Sequence, residues 1–574
     1  MNFDNAMDVY KERYGRNPNS TTPQFCREVT FQVTERCNLS CTYCYQIHKT
    51  PKVMPWEVAK AGIDLLFNMW VENEPDAFIN QKTEFIILDF IGGEPMLEVK
   101  LIDRICDYFI NQALEINPLW AETFMISMAS NGTIYFTPEV QHFLHKWDKR
   151  LSYSVSMDGP KEMHDACRIF PDGRGSFDLA KAAQDDYNKT HRMQSGTKAT
   201  ISWQNMPYLD TTIKYYVDQG YRRIHANTVY EEDWTPEQGA FFYKKLKEVA
   251  DFMLSLDGKV EISLFDKNFF KPRTDMEQTW CFGAGTKVLT NQGYKDIETI
   301  QVGDMVMTAN GYQPVEATKS HWADNVVKAK IGDTFDFICT DDHPFVCQEK
   351  HSAITKIVPL NQINDENFLM FLNGEEIPTF GCISGLTIEP IDSCVVYNLT
   401  VKNDHTYIAN GILVHNCGGY DSMLAFDPDG NAFPCIRYME SSLGEDMPPV
   451  IIGDVWNGLW KTPQQQHYHN CLACITWTTQ NDNECLECPI AQGCADCAAE
   501  SYQHMKCFNK RHKLGSCWVH RARSLANVYY WNKLWRQQGS TERFKRYLPD
   551  DIALQIISKE ELEYLNKLEG GDIL

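Results

Sequence analysis

From about residue 28 the chain alternates short apolar runs with longer stretches whose apolar residues recur at helical spacing. The runs 28–35 (EVTFQVTE), 84–93 (EFIILDFIGG), 123–132 (TFMISMASNG), 151–159 (LSYSVSMDG), 197–203 (TKATISW) and 222–230 (RRIHANTVY) read as strands. Between them, 56–70 (WEVAKAGIDLLFNMW) and 99–116 (VKLIDRICDYFINQALEI) read as amphipathic helices. Six strand-then-helix units predict an α/β fold, a parallel sheet closed into a partial or full barrel, with its chemistry at the C-terminal strand ends. After residue 280 the pattern breaks. Residues 281–320 carry short β runs and Gly turns with little helical period, which predicts an inserted all-β segment. Near residue 555 an acidic amphipathic pattern returns, and 531–574 reads as a solvated helical tail.

At 574 residues the chain is long enough for several domains. A formal net charge of −23 repels phosphate backbones and argues against nucleic acid as a partner. The N-terminus shows no basic and apolar export pattern and no run of 18 apolar residues is present, so a cytoplasmic protein without a membrane span is expected. The 21 cysteines change the picture. In a reducing compartment they more often bind metal or do chemistry than pair as disulfides. Three lie within eight residues, Cys37, Cys41 and Cys44, and ten lie between Cys417 and Cys517.

Three thiolates after the first strand can hold three corners of a four-iron, four-sulfur cube and leave one iron open. Zinc, which takes four closed ligands, is the alternative. The segment CNLSCTYCY resembles the signature of the radical S-adenosylmethionine (radical SAM) enzymes. The resemblance implies that Cys37, Cys41 and Cys44 ligate a [4Fe-4S] cluster and that Gly92, Gly93, Glu94 and Pro95 meet the amino group of S-adenosyl-L-methionine. It further implies that Ser156 and Arg168 touch the nucleoside and carboxylate, and that a 5′-deoxyadenosyl radical abstracts hydrogen from an unactivated carbon.

The insert resembles an intein of the Hint fold, without an endonuclease, spanning the 136 residues from Cys281 to Asn416. By that resemblance Cys281 attacks its preceding carbonyl, Thr340 and His343 hold and protonate the Trp280–Cys281 peptide, and Cys417 takes the acyl group. Asn416 then cyclises with help from His405 and His415. Asn398 stands where that family has Asp; an amide transfers no proton, so slow or conditional splicing is expected.

Residues 417–530 resemble the SPASM domain, a twin-cluster extension of radical SAM peptide maturases. The resemblance assigns Cys485, Cys488, Cys494 and Cys517 to one auxiliary [4Fe-4S] cluster and Cys417, Cys435 and Cys497 to another. Cys471, Cys474 and Cys507 are candidates for the missing ligand, and zinc ribbons are the rival. The expected organisation is an N-terminal extension (1–24), a barrel (25–280), the intein (281–416), the auxiliary domain (417–530) and the tail (531–574). The segment after Cys488 is similar to maturases of peptides with Cys-x-x-x repeats. This implies thioether formation on a Cys-rich precursor peptide, with a low-potential ferredoxin or flavodoxin as electron donor. Formylglycine formation, peptide epimerisation and a non-catalytic iron–sulfur electron carrier or sensor are the alternatives.

Overall fold

The computed structural model describes residues 26–272 and 281–571, except 74–76, 82, 230, 309–310, 324–325, 332–334, 342, 350–354, 361–362, 364–366, 373–377, 383–385, 402–405, 416–422, 445, 474, 476–479, 495–496, 509 and 514. The expected 1–24 extension, Trp280, His405, Asn416, Cys417 and Cys474 lie outside the described residues.

The first four expected strands form as β1 (Cys26–Thr34), β2 (Phe85–Gly92), β3 (Met125–Ser130) and β4 (Leu151–Val155). They pair in parallel in that order, with Thr30 beside Asp89, and Asp89 beside Ser127. Their alternation has a plain cause. Val29, Phe31 and Val33 face outward and are buried under helices, while Glu28, Thr30 and Gln32 share the other face. The helices Trp56–Glu72 and Val99–Ile116 cover the outside through Ile63, Leu66, Ile102, Ile105 and Phe109. Helix Pro236–Ser255 starts at a capping box, in which the Thr235 hydroxyl and the Gln238 side chain satisfy each other's backbone amides.

The barrel departs from six equal units. The fifth strand is the short β5 (Ala199–Ile201), and the sixth expected run splits into β6 (Arg223–Ile224) and β7 (Ala226–Thr228). β5 pairs with β7, and β6 with β8 (Glu261–Ile262), as separate two-stranded pieces. The main sheet grows instead from its other edge. Strand Met423–Phe426, from beyond the insert, lies parallel to β1 with Glu28 beside Met423 and Phe31 beside Phe426. Strands Asn431–Phe433, Gly453–Asp454 and Gly458–Leu459 follow it. A free edge of β1 would expose unpaired backbone groups, and this segment covers it. These four strands, which fall within the expected 417–530 domain, are thus built into the barrel sheet.

The tail also differs from the solvated helix expected. Leu562, Leu565 and Leu568 are buried in the barrel's own core, and Glu561 accepts hydrogen bonds from Tyr243 (2.6 Å) and Lys247 (2.7 Å). Helix Ser516–Gln537 runs across the expected 530/531 boundary and binds the barrel through Asn527 to Leu264 O (3.1 Å) and Tyr529 to Asp251 (2.5 Å).

Among its described residues the insert is built of β-strands, with one short 3-10 turn at Ile297–Thr299. Its strands pair antiparallel throughout a 15-stranded sheet, around a core of its own that includes Phe282, Val288, Phe337, Phe345 and Tyr407.

Candidate functional site

The three-cysteine loop leaves the end of β1 and is clamped from three sides. From β2, Gly93 N donates to Thr34 O (3.1 Å) and Glu94 N to Arg36 O (2.8 Å). These approaches require glycine: a Cβ on Gly93 would lie 2.4 Å from Arg36 O, and one on Gly92 2.6 Å from Thr34 O. From β3, Asn131 Nδ2 donates to Asn38 Oδ1 and Asn38 Nδ2 to Thr133 Oγ1, both at 2.7 Å. From the β4 side, Ser40 N donates to Ile169 O (2.7 Å) and Thr42 N to Cys167 O (3.0 Å).

Glu94 is buried and fastens β2 to β3. Its carboxylate accepts from Ser130 Oγ (2.7 Å), Asn131 N (2.7 Å) and Met96 N (3.1 Å). Burial raises its pKa, and those three bonds only partly oppose the rise. Pro95 opens the one-turn helix that follows. Tyr43, between Cys41 and Cys44, donates its hydroxyl to Asp158, a wholly buried carboxylate that also binds Arg168 through Nε (3.0 Å) and Nη2 (3.1 Å). Ser156 follows β4 directly, with its amide on Ser130 O (2.7 Å). Burial pushes the Cys41 thiol up to about 11, with Cys44 and Cys37 near enough to add to the rise and Arg168 opposing it.

Beside the loop a pocket of about 320 Å³ opens between Cys44, Tyr45, Ser202, Glu231, Glu232 and Arg437. Arg437 ties three parts together. It pairs with Glu231 of the barrel and Glu500 of the C-terminal region (2.6 Å to the latter), and stands over the Tyr45 ring at 5.3 Å. Deeper in the barrel, Asp89 on β2 accepts from Thr30 Oγ1 (3.3 Å); burial raises its pKa against the pull of Ser127, Thr30 and Lys198.

In the C-terminal region Cys485, Cys488, Cys494 and Cys517 line one cavity of about 290 Å³, together with Arg511 and His520. Cys435 and Cys497 are close enough that Cys497 adds to the pKa rise that burial imposes on Cys435, up to about 11. Cys471 faces His467 on its own helix at 3.6 Å, and Cys507 is half-buried. Among the described residues no three His, Cys, Asp or Glu gather about a single metal ion. The four thiols round one cavity fit a cluster, whose ligands sit on different irons, and the three-thiol loop fits one with an open corner.

At the upstream splice junction Cys281 is fully buried. Its amide, which is half of the Trp280–Cys281 peptide, donates to Thr340 Oγ1 (3.3 Å), and Thr340 N donates back to Cys281 O (3.0 Å). His343 follows in the same turn and packs on the Phe282 ring at 4.1 Å. Asn398 is buried one residue beyond the Tyr397–Phe282 pair, on the Cys281 side, and its Oδ1 accepts from Tyr407 OH (3.0 Å). His415 ends the strand Ile412–His415.

No protein-family model matches the chain. An uncharacterized protein of Methanocaldococcus jannaschii is 29% identical over 199 residues, 34% of this chain and 61% of that protein. The radical SAM cyclopropyl synthase TigE of Paramaledivibacter caminithermalis is 25% identical, over 31% of this chain and 36% of its own length. A cysteine-type anaerobic sulfatase-maturating enzyme of Clostridium novyi is 24% identical, over 33% and 47%. The chain thus spans about a third to three fifths of the length of these three relatives. Among solved structures, native anSMEcpe with bound AdoMet aligns at 14% identity and TM-score 0.47, covering 90% of this chain and 99% of that one. The gp41-1 intein aligns at 25% identity and TM-score 0.20, covering 24% of this chain and 98% of its own.

Over about a third of its length the chain is thus similar to proteins named as radical SAM enzymes, and its segment 281–416 has the residue pattern of an intein.

Arg168, which the resemblance places at the nucleoside and carboxylate, has a structural partner of its own. Its guanidinium is held in a two-pronged bond by Asp158, the carboxylate that also accepts from Tyr43 of the three-cysteine loop. Asp158, Arg437, Arg511 and Asp89 are the residues that sequence reasoning did not single out. Only Asp89 left a local signal, a carboxylate in an otherwise apolar strand (FIILDFIG).

Proposed function

We propose that this chain is the precursor of a radical SAM peptide-modifying enzyme. The insert Cys281–Asn416 excises itself and joins Trp280 to Cys417. The ligated protein modifies a Cys-rich precursor peptide, linking a peptide Cys sulfur to an acceptor carbon as a thioether. The observation that carries this reading is the three-thiol loop, with an open pocket at Cys44, in one folded unit with a four-thiol cavity. Two relatives named as a cyclopropyl synthase and a sulfatase-maturating enzyme support a maturase.

When bound, the cluster and S-adenosylmethionine supply a radical able to take hydrogen from an unactivated carbon. The chain's residues do the rest. Gly92 and Gly93 let the β2 end close on the cysteine loop, and Glu94 locks that end to β3. Tyr43, Asp158 and Arg168 fix the loop's far side. Glu231, Glu232 and Arg437 line the pocket that receives the peptide. A second reading, oxidation of a peptide Cys or Ser to formylglycine, is favoured by Asp89, a carboxylate placed on the inner face of the barrel to take a proton.

The test is anaerobic incubation of the spliced, iron-loaded protein with reductant, S-adenosylmethionine and Cys-rich peptides, followed by mass spectrometry. A thioether keeps the sulfur and loses two hydrogens, whereas formylglycine made from Cys loses the sulfur. Absence of 5′-deoxyadenosine release with every peptide sinks both readings.

A further inference from the structure

Cys494 does not sit in its cavity alone. Arg511 Nη2 donates to Cys494 Sγ at 2.9 Å. Two further bonds aim the arginine: its own amide to Gln480 O (3.0 Å) and Nη1 to Asn481 Oδ1 (3.2 Å). Only 7% of Arg511 is exposed, so little solvent screens its charge. The other cations of the cavity wall are turned to other partners. Lys513 pairs with Asp482 (2.9 Å) and Glu484 (2.8 Å), and Arg521 bonds Gln555 (3.2 Å) and covers the Trp518 ring at 4.9 Å. Arg511 therefore brings both a positive charge and an N–H directly to one thiol of the cavity.

Resting on the reading of this cavity as a cluster site, we infer that Arg511 sets the reduction potential of the cluster held by Cys485, Cys488, Cys494 and Cys517. A cluster gains one negative charge on reduction. A cation and an N–H···S bond at a ligand sulfur stabilise that more negative state, so the potential rises. Arg511 thereby makes this cluster an electron acceptor within the protein. It is a positioning and tuning residue, not one that touches substrate. Its sequence neighbourhood, CFNKRHK, reads as an ordinary basic surface stretch, and only the fold turns this side chain inward.

The experiment is an anaerobic redox titration of the spliced, iron-loaded protein, followed by electron paramagnetic resonance. The signal of this cluster is identified as the one lost in a Cys485→Ala, Cys488→Ala variant. Arg511→Gln is expected to keep the wild-type iron content and to lower the electron affinity of that cluster about tenfold, which for one electron is about 59 mV towards negative potential. Arg511→Lys retains the charge without the fork and is expected to fall between the two. Full iron with an unmoved midpoint in Arg511→Gln overturns the inference. Loss of iron from both Arg511 variants overturns it too, by making the residue a strut of the cavity wall. If the Cys485→Ala, Cys488→Ala variant keeps every iron and every signal of the parent, the reading of the cavity itself fails, and the inference with it.

Discussion

Replacing Arg168 by Ala separates two roles for one side chain. The Asp158 carboxylate is wholly buried, and Arg168 is 13% exposed. Removing the guanidinium leaves that carboxylate with the Tyr43 hydroxyl and a long contact from Thr200 N (3.4 Å). Stripping one partner from a buried ion pair costs about 3–5 kcal/mol, because the remaining charge stays desolvated. For a unit the size of this barrel the loss corresponds to a fall of roughly 6–20 °C in melting temperature. Calorimetry of the cluster-free spliced protein measures it. The double variant Arg168→Met, Asp158→Asn removes both charges and is expected to recover most of the loss. Iron retention after gel filtration should fall in Arg168→Ala, because Asp158, the acceptor of Tyr43 next to Cys41 and Cys44, is no longer held in place. A melting temperature within about 2 °C of the parent, which is under about 1 kcal/mol, combined with much weaker S-adenosylmethionine binding, would refute the bracing role and return Arg168 to the ligand.

Other consequences are equally direct. A splice-blocked Asn416→Ala, Cys281→Ala variant should fold its barrel yet bind less iron than the spliced protein, since Cys417 stays joined to the insert; equal iron by chemical assay contradicts this. Asn398→Asp should accelerate splicing roughly tenfold or more on a denaturing gel time course, because a carboxylate beside Cys281 restores a proton acceptor. His164 is buried and held below its ordinary value, at about 4, mainly by burial, so the fold keeps it neutral and the unfolded chain binds the extra proton between pH 4 and 6.5. Stability should therefore rise with pH across that window and be lost on acidification, by up to about 3 kcal/mol, and His164→Gln should flatten that slope in pH-dependent melts. Glu94→Gln sets an amide donor against the Asn131 N–H or the Ser130 hydroxyl and should cost about 2–3 kcal/mol in the same calorimetric measurement.

How much of this was legible in the sequence depends on how local each feature is. The strand alternation of 28–35 and the helical period of 99–116 are set by near neighbours, and β1 and the helix Val99–Ile116 form where they were expected. The cysteine spacing is equally local, and so is the break in style at Cys281. What escaped detection depends on distant partners. Met423–Phe426 is a four-residue apolar run, too short to announce a strand, and its partner β1 lies on the far side of the insert. The apolar stripe of 559–570 was visible, but nothing nearby says that the barrel core receives it. Arg511 and Asp158 look like ordinary surface charges until the chain folds back and buries them.

The strand Met423–Phe426 beside β1 has one more consequence. The flanks of the interruption grip each other through a shared sheet before any ligation has occurred. Excision is then a repair made within an assembled body, much as a splint holds a bone while it knits, and an interrupting element at this seam can arrive or depart without the surrounding architecture having to be reinvented.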